Sequence, residues 1–376
     1  ETTMGNLRGI IPFSEGIERT MNLVREDAIN ARDKFKGLYN DAYTRDIPNK
    51  PYDWRPLMKS SQISCAARYN TGTVAVNAAA TAITGTGTTW TSAMTGFKMR
   101  IGSNSNIYTF TYVSATTGTI SPGLSGANDL TGVGYDLFDD DYTMATDFSR
   151  LLKGGSVYRM IGGRVDETLN ETHRVEWNRD YVYWPIDLTE RIRLLGYNSS
   201  RVREVQINPP PKTAIMLPYD YIYELMPLTE YNTGYITTLA NGAAVVTGSG
   251  TDFDGYVDSS LIYYFRIDRD GIGDSSVWYE LTSADSDTGL TLASNYAGVA
   301  LVGAEEAYTL CMIPDLPSEF HDWIQYIAAI SAAGDQDDPM VQLWTGKAKE
   351  IERRCMSLYK TRRVNIQIEV EDDVRG

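Results

Sequence analysis

The sequence predicts an α+β protein: a helical framework, with a long N-terminal helix and a C-terminal αα-hairpin, interrupted by two small all-β modules of sandwich or barrel type. Three observations predict it. Apolar or small residues recur at alternating steps of four and three from Ile17 to Ala42. A texture rich in Thr, Gly, Ala and Val starts near Thr71 and returns near 234. Apolar faces at helical spacing close the chain, through Phe320–Ile330 and Trp344–Leu358.

The N-terminal part of the framework spans 10–70. Ile17, Met21, Val24, Ala28, Ala31, Phe35, Leu38 and Ala42 form one continuous stripe, which predicts a single helix from about Ser14 to Tyr43. Ser14 can cap its start, and Pro48 and Pro51 end it.

The first β module spans 71–140, five or six short strands broken by Gly, Ser and Asn turns. The second, at 234–308, repeats it. Ala82-Ile83-Thr84-Gly85-Thr86-Gly87-Thr88 is echoed by Val245-Val246-Thr247-Gly248-Ser249-Gly250-Thr251, and Trp90 by Phe253. Downstream, IYTFTYVSATTGTIS is matched by VWYELTSADSDTGLTLA. Two copies are too few for a solenoid, so these are inserted domains.

The segment between them, 141–233, reads as mixed framework. Residues 141–160 read as a loop leading into a strand, and Asp187–Leu195 as a short capped helix. Val202–Ile207 and Ala214–Tyr223 read as a hairpin around Asn208-Pro209-Pro210-Pro211-Lys212, since prolines fit a turn that needs no ladder donor.

The last part, 309–376, returns to helix. Pro314-Asp315-Leu316-Pro317-Ser318 is a sharp entry, and Phe320, Trp323, Ile324, Ile327, Ala328 and Ile330 form an apolar face. Gly334–Pro339 breaks it. A second helix then runs to about Arg362 with Trp344, Ala348, Ile351, Cys355 and Leu358 on one side. The tail alternates at Val364, Ile366, Ile368 and Val370, which suits an edge strand of its own sheet or pairing with another subunit. The residues singled out as oligomer or partner contacts are therefore Trp344, Arg353, Arg354, Val364, Ile366, Ile368 and Val370.

Composition narrows the function classes. The 376 residues are 42% hydrophobic, enough for a real core. With 34 Lys+Arg against 49 Asp+Glu, the net charge of −15 argues against a tight, sequence-independent nucleic-acid binder. DNA passing near an acidic wall would slide without sticking, while the plainer reading of the acidic balance, and the one preferred from charge alone, is solubility. The 25 Tyr and 7 Trp suit both a core and subunit contacts. Cys65, Cys311 and Cys355 are sparse and odd in number, as expected of reduced thiols. Without a long apolar run, a membrane span is not expected, and Glu1–Gly9 lacks the pattern of a signal peptide.

Motifs for chemistry do not assemble. His173 lies in a polar stretch, ETHRVEWNRD, and His321 in the first turn of a helix, where a surface or capping role is the ordinary one. The runs TGTGT and TGSGT lack the Lys-Ser/Thr of a phosphate loop and sit between strands. Asp268, Asp270 and Asp274 space carboxylates and glycines like a calcium loop. Ile272 stands at its fifth position and Tyr279 at its twelfth, so a hairpin turn is the preferred reading. No enzyme activity, cofactor or resident metal is expected.

The stretch IPDLPSEFHDWIQYIAAISAAGDQDDPMVQLWTGKAKEIERRCMSLYK resembles the closing helix pair of tailed-bacteriophage head-to-tail adaptor (connector, or neck) proteins, including the tail tubular protein A family. EDAINARDKFKGLYNDAY followed by Trp54 is similar to that family's opening, and NPPPKTAIML and the Thr-Gly-rich β module look like recurring parts of it. The resemblance covers about 10–70, 141–235 and 309–363 and carries no catalytic residues. It implies a structural virion protein, located in the neck and in the host cytoplasm during assembly. Its copies would form a ring, commonly twelve-fold, between the portal protein and a downstream tail or neck protein, with DNA passing through during ejection. The two β modules depart from the simplest adaptors. They leave open an alternative: a carbohydrate- or receptor-binding protein of a tail fibre or head decoration.

Overall fold

The computed structural model describes residues 10–26, 31–103, 106–126, 128–152, 157–161, 164–172, 188–268, 277–333 and 339–360. Its dominant structure is antiparallel sheet, with 40% strand and 24% helix, and this corrects the expectation of a helical framework. The helices are short. The expected N-terminal helix is two: α1 (Phe13–Val24) and α2 (Arg32–Asp41), the latter running on into a π-helical turn, Ala42–Asp46. At Arg25 the backbone turns left-handed (φ 59°, ψ 37°), and the N–H groups of Arg25 and Glu26 close on Asn22 and Met21 carbonyls. That is the geometry of a helix stop. The apolar stripe continues through the break because each piece turns its own buried side inward: Phe13 and Ile17 from α1, Phe35 and Tyr39 from α2. Phe13 and Tyr39 meet edge-on with ring centroids 5.5 Å apart.

The chain forms two compact units, Met58–Glu224 and the combination of Glu1–Leu57 with Leu225–Gly376. The Met58–Glu224 unit begins with β1 (Met58–Cys65). A seven-stranded sheet follows, built from β2 (Thr73–Val76), β3 (Ala82–Thr86), β4 (Lys98–Ile101), β5 (Tyr108–Ser114), β6 (Thr117–Ser121), β7 (Leu130–Val133) and β8 (Tyr135–Phe138), in the order β7-β2-β3-β6-β5-β4-β8. Its strands alternate buried and exposed residues, and the inward ones (Val74, Ile83, Met99, Tyr108, Phe110, Ile120, Leu137) pack around Trp90.

The same unit continues through β9 (Asp141–Thr143), β10 (Phe148–Leu151), β11 (Tyr158–Ile161), β12 (Arg164–Thr168), β13 (Asn170–Glu171), β14 (Arg191–Tyr197), β15 (Arg203–Asn208) and β16 (Ile215–Tyr223). Two expectations fail here. The predicted helix over 187–195 is replaced from Arg191 by strand β14, paired with β15, while Asp187 lies outside the described residues. Its short Ile/Leu run is helical or extended by local pattern alone, and pairing with β15 decides. The predicted hairpin of β15 and β16 does not form either. β15 pairs with β14 and β9, and β16 with β1 and β10. Pro209, Pro210 and Pro211 carry the chain from one sheet to another, a junction that suits residues unable to donate to a ladder.

The other unit resumes with β17 (Glu230–Tyr231), β18 (Tyr235–Leu239), β19 (Val245–Ser249), α3 (Phe253–Tyr256), β20 (Tyr263–Ile267), β21 (Tyr279–Ser286), β22 (Gly289–Leu292), β23 (Leu301–Glu306) and β24 (Tyr308–Met312). Their order is β17-β24-β20-β21-β22-β19-β18-β23. Apart from the added β17, this is the order of the seven-stranded sheet with every strand replaced by its counterpart in sequence.

Side-chain hydrogen bonds repeat as well. Tyr69 Oη accepts from the Thr89 N–H and Tyr231 Oη from the Asp252 N–H, each at 2.7 Å. Tyr135 donates to the Thr71 carbonyl at 2.8 Å, and Tyr308 to Thr233 at 2.6 Å. Thr88 bonds the Ala115 carbonyl at 2.8 Å, and Thr251 that of Asp287 at 2.7 Å. The unit closes with α4 (Ser318–Ala333) and α5 (Pro339–Tyr359), which pack through Ala329, Val341 and Trp344.

Candidate interaction surfaces

The three thiols and His321 are committed to the core. Burial pushes the thiols of Cys65, Cys311 and Cys355 up to about 12, so all three stay protonated near neutral pH. His321, expected in a surface or capping role, is 1% exposed. Its Nδ1 accepts from the Ile11 N–H at 2.9 Å, and its Nε2 lies 2.9 Å from the Leu316 carbonyl, which fixes the neutral ring with its proton on Nε2. The ring staples the segment before α1 to the entry of α4, so it acts in architecture.

Burial holds the His321 pKa below the ordinary histidine value of 6.5, outweighing the Leu316 carbonyl and the nearby Asp322 and Glu319 charges. The folded state therefore favours the neutral ring. Its contribution to stability is complete above the unfolded pKa and is lost as pH falls toward the lower folded one. Urea unfolding should show the wild-type midpoint falling between about pH 7 and about pH 5 more than that of His321→Gln, which has no ring to protonate. Equal falls would refute this account.

Charged groups of the same unit form two linked clusters. Glu230, on β17, receives Arg32 through Nε (3.2 Å) and Nη2 (2.9 Å) and Lys36 at 3.0 Å. Burial alone would raise the Glu230 pKa, but the hydrogen bonds and charges of Arg32 and Lys36 prevail and hold it below the usual value. Arg266, on β20, takes Glu18 of α1 at 3.0 Å and Asp268 at 2.9 Å, and lies 4.5 Å from the Trp278 ring centroid. These pairs tie α1 and α2 to the sheet.

Asp268, the first carboxylate of the calcium candidate, is held by Arg266 and by the Thr309 hydroxyl at 2.5 Å. Asp270 and Asp274 lie outside the described residues, as does His173. Among the described residues no group of three or more His, Cys, Asp or Glu is placed to hold a metal ion.

Of the expected partner contacts, Trp344 is corrected. It is 5% exposed and packs with Val341 and Ala329 between the two last helices, because its place in the stripe Val341-Trp344-Ala348-Cys355 is the one facing α4. Arg353 and Arg354 stand exposed on α5. Val364, Ile366, Ile368 and Val370 lie outside the described residues. What the periodicity passed over is the outer face itself. Leu343 (55% exposed) lies there near Lys347, whose ammonium pairs with Glu350 at 3.3 Å, and Leu358 is 49% exposed. Leu343 is left over from the buried stripe and could have been found by counting such residues, whereas Leu358, expected on the stripe, is exposed where the stripe runs out at the helix end. No described helix is long and apolar enough to cross a membrane.

No protein-family model matches the chain, and no curated protein matches it either.

Proposed function

We propose that the chain is a structural virion protein that forms a ring in the head-to-tail neck of a tailed bacteriophage, joins the portal protein to a downstream tail or neck protein, and lets DNA pass during ejection. The observation that carries this reading is the outer face of α5. In a chain of net charge −15, α5 exposes Lys347, Lys349, Arg353 and Arg354 together with Leu343 and Leu358, against one exposed carboxylate, Glu350, which pairs with Lys347 at 3.3 Å. Such a face complements an acidic protein surface in both charge and apolar area. It belongs to the stretch that resembles the closing helices of neck adaptors. The buried thiols and the neutral, doubly hydrogen-bonded His321 fit a structural role.

Gold-labelled antibodies against the chain are expected to mark purified particles at the head-to-tail junction. Label confined to fibre tips or to the head surface would overturn the proposal. The weight of β structure, in two related modules, keeps a carbohydrate- or receptor-binding role as the second reading, and glycan binding by the full chain would favour it.

A further inference from the structure

Charge is distributed unevenly over the two modules, and in the same way in both. From Tyr69 to Asn128 the only charged residues are Lys98 and Arg100, in a chain that is 22% charged. Both lie on β4, beyond the centre of the sheet. In the second module, Asn232–Thr251 and Thr288–Ala304 carry no charge. These stretches hold β18, β19, β22 and β23 up to Gly303, the counterparts of β2, β3, β6 and β7, and they are neighbours in the sheet. Each module thus has one contiguous half-sheet poor in charge: the first has none on its strands, and the second meets charge only at its margins, at Glu305 and Glu306 where β23 ends and at Asp285 of β21, whose carboxylate accepts from Thr291 of β22.

The two faces differ in relief. On the first, Ala82 pairs across the ladder with Thr119, and Thr84 with Thr117, so the surface is a lawn of methyl and hydroxyl groups. On the second, Val302 (82% exposed), Val245 (59%) and Tyr235 (50%) stand proud among threonines, with Val302 and Thr247 flanking Thr238. Exposed sheet faces ordinarily carry charges that keep them apart from other chains. Both copies of the module have shed theirs over the same strands, although elsewhere the two sequences have diverged.

We infer that these half-sheets are the contact between copies of this chain, the β18-β19-β22-β23 face of one copy seating on the β2-β3-β6-β7 face of the next. Two copies with a net charge of −15 approach at least electrostatic cost where charge is sparsest. The proud Val302, Val245 and Tyr235 side chains match a flat partner of Thr and Ala. Because the two faces are different surfaces of one chain, the contact is head-to-tail, and its repetition gives a closed ring or a filament. This rests on the self-association contained in the proposed function and gives that association its surface.

Sedimentation velocity of the full chain over a concentration series tests it. Wild-type protein is expected to assemble. Thr84→Glu and Val302→Lys, each at an exposed position, should each weaken assembly about tenfold or more, because each buries one unpaired charge. The chain carrying both should recover in part, since every contact then sets a face bearing a glutamate against a face bearing a lysine. Matching thermal unfolding of all four proteins shows that the fold is kept. A wild-type chain that stays monomeric up to its solubility limit overturns the inference. Assembly that neither single variant weakens also overturns it, as does a double variant weaker than both. Antibody label at the neck with assembly untouched by these charges would sink the inference and leave the neck reading standing. Label elsewhere, with the charge pattern obeyed, would do the reverse.

Discussion

Trp54→Ala is expected to cost the unit that contains it about 3–5 kcal/mol, the upper range for removal of a buried aromatic side chain. Trp54 is 1% exposed. Its indole N–H donates to the Ile47 carbonyl at 3.1 Å. Its ring meets Tyr52, Phe320 and Trp323 edge-on, with centroids 4.6, 5.1 and 5.7 Å away. Truncation opens a cavity between the segment after α2 and the inner face of α4, and it removes the shorter of two hydrogen bonds to the Ile47 carbonyl, leaving the Lys50 N–H at 3.3 Å. Against a typical total of about 5–15 kcal/mol, that is a large share.

Urea unfolding reads the loss. Hydrogen exchange should place the lost protection in Ser318–Ala333, where Phe320 and Trp323 lie. Trp54→Phe, which keeps the edge contacts and loses only the donor and part of the volume, should fall well short of the alanine variant. A loss below about 1 kcal/mol for Trp54→Ala would mean that α4 is held by other contacts.

The part of the fold that the sequence made legible is the part where local pattern and tertiary demand agree. The C-terminal helices follow from their apolar stripes, and the stripe of α5 ends up facing α4. The echo of Thr-Gly runs marked the repeat, yet a plainer signal was passed over: Tyr69-Asn70-Thr71-Gly72 recurs unchanged as Tyr231-Asn232-Thr233-Gly234. Its tyrosines and threonines make the matching bonds described above, so the identity has a physical cause.

The failures have causes too. A left-handed residue at Arg25 interrupts the N-terminal stripe without disturbing its spacing, so periodicity could not see the break. Arg191–Leu195 and the strands around the prolines are placed by partners distant in sequence, which no local pattern names. His321 shows the same limit for a site residue. Its position in a first turn suggested a surface or capping role, and only the packing of Ile11 and Leu316 around it places it in the core.

The identical tetrapeptide leads to the second large effect. Gly72→Ala and Gly234→Ala are each expected to lose about 3 kcal/mol, and to lose it alike. Both glycines have positive φ, +84° and +80°, a conformation that an alanine enters at a cost of about 1–2 kcal/mol. Both also press against backbone. A Cβ at Gly72 would lie 2.4 Å from the Thr86 carbonyl oxygen, and one at Gly234 would lie 2.5 Å from that of Ser249. Neither neighbour is a side-chain tip that can swing aside. Each belongs to the strand paired with the one the glycine leads into, β3 in one module and β19 in the other.

Gly96→Ala and Gly242→Ala supply the control. Their φ values, +94° and +79°, are similar, but nothing lies within 4 Å of the added carbon, so they should lose only the conformational part, about 1 kcal/mol. Thermal or urea unfolding of the four variants separates crowding from backbone strain. If one tetrapeptide glycine tolerated alanine while the other did not, the two corners would not be the same piece of structure, and the shared ladder order would have to arise without a shared corner.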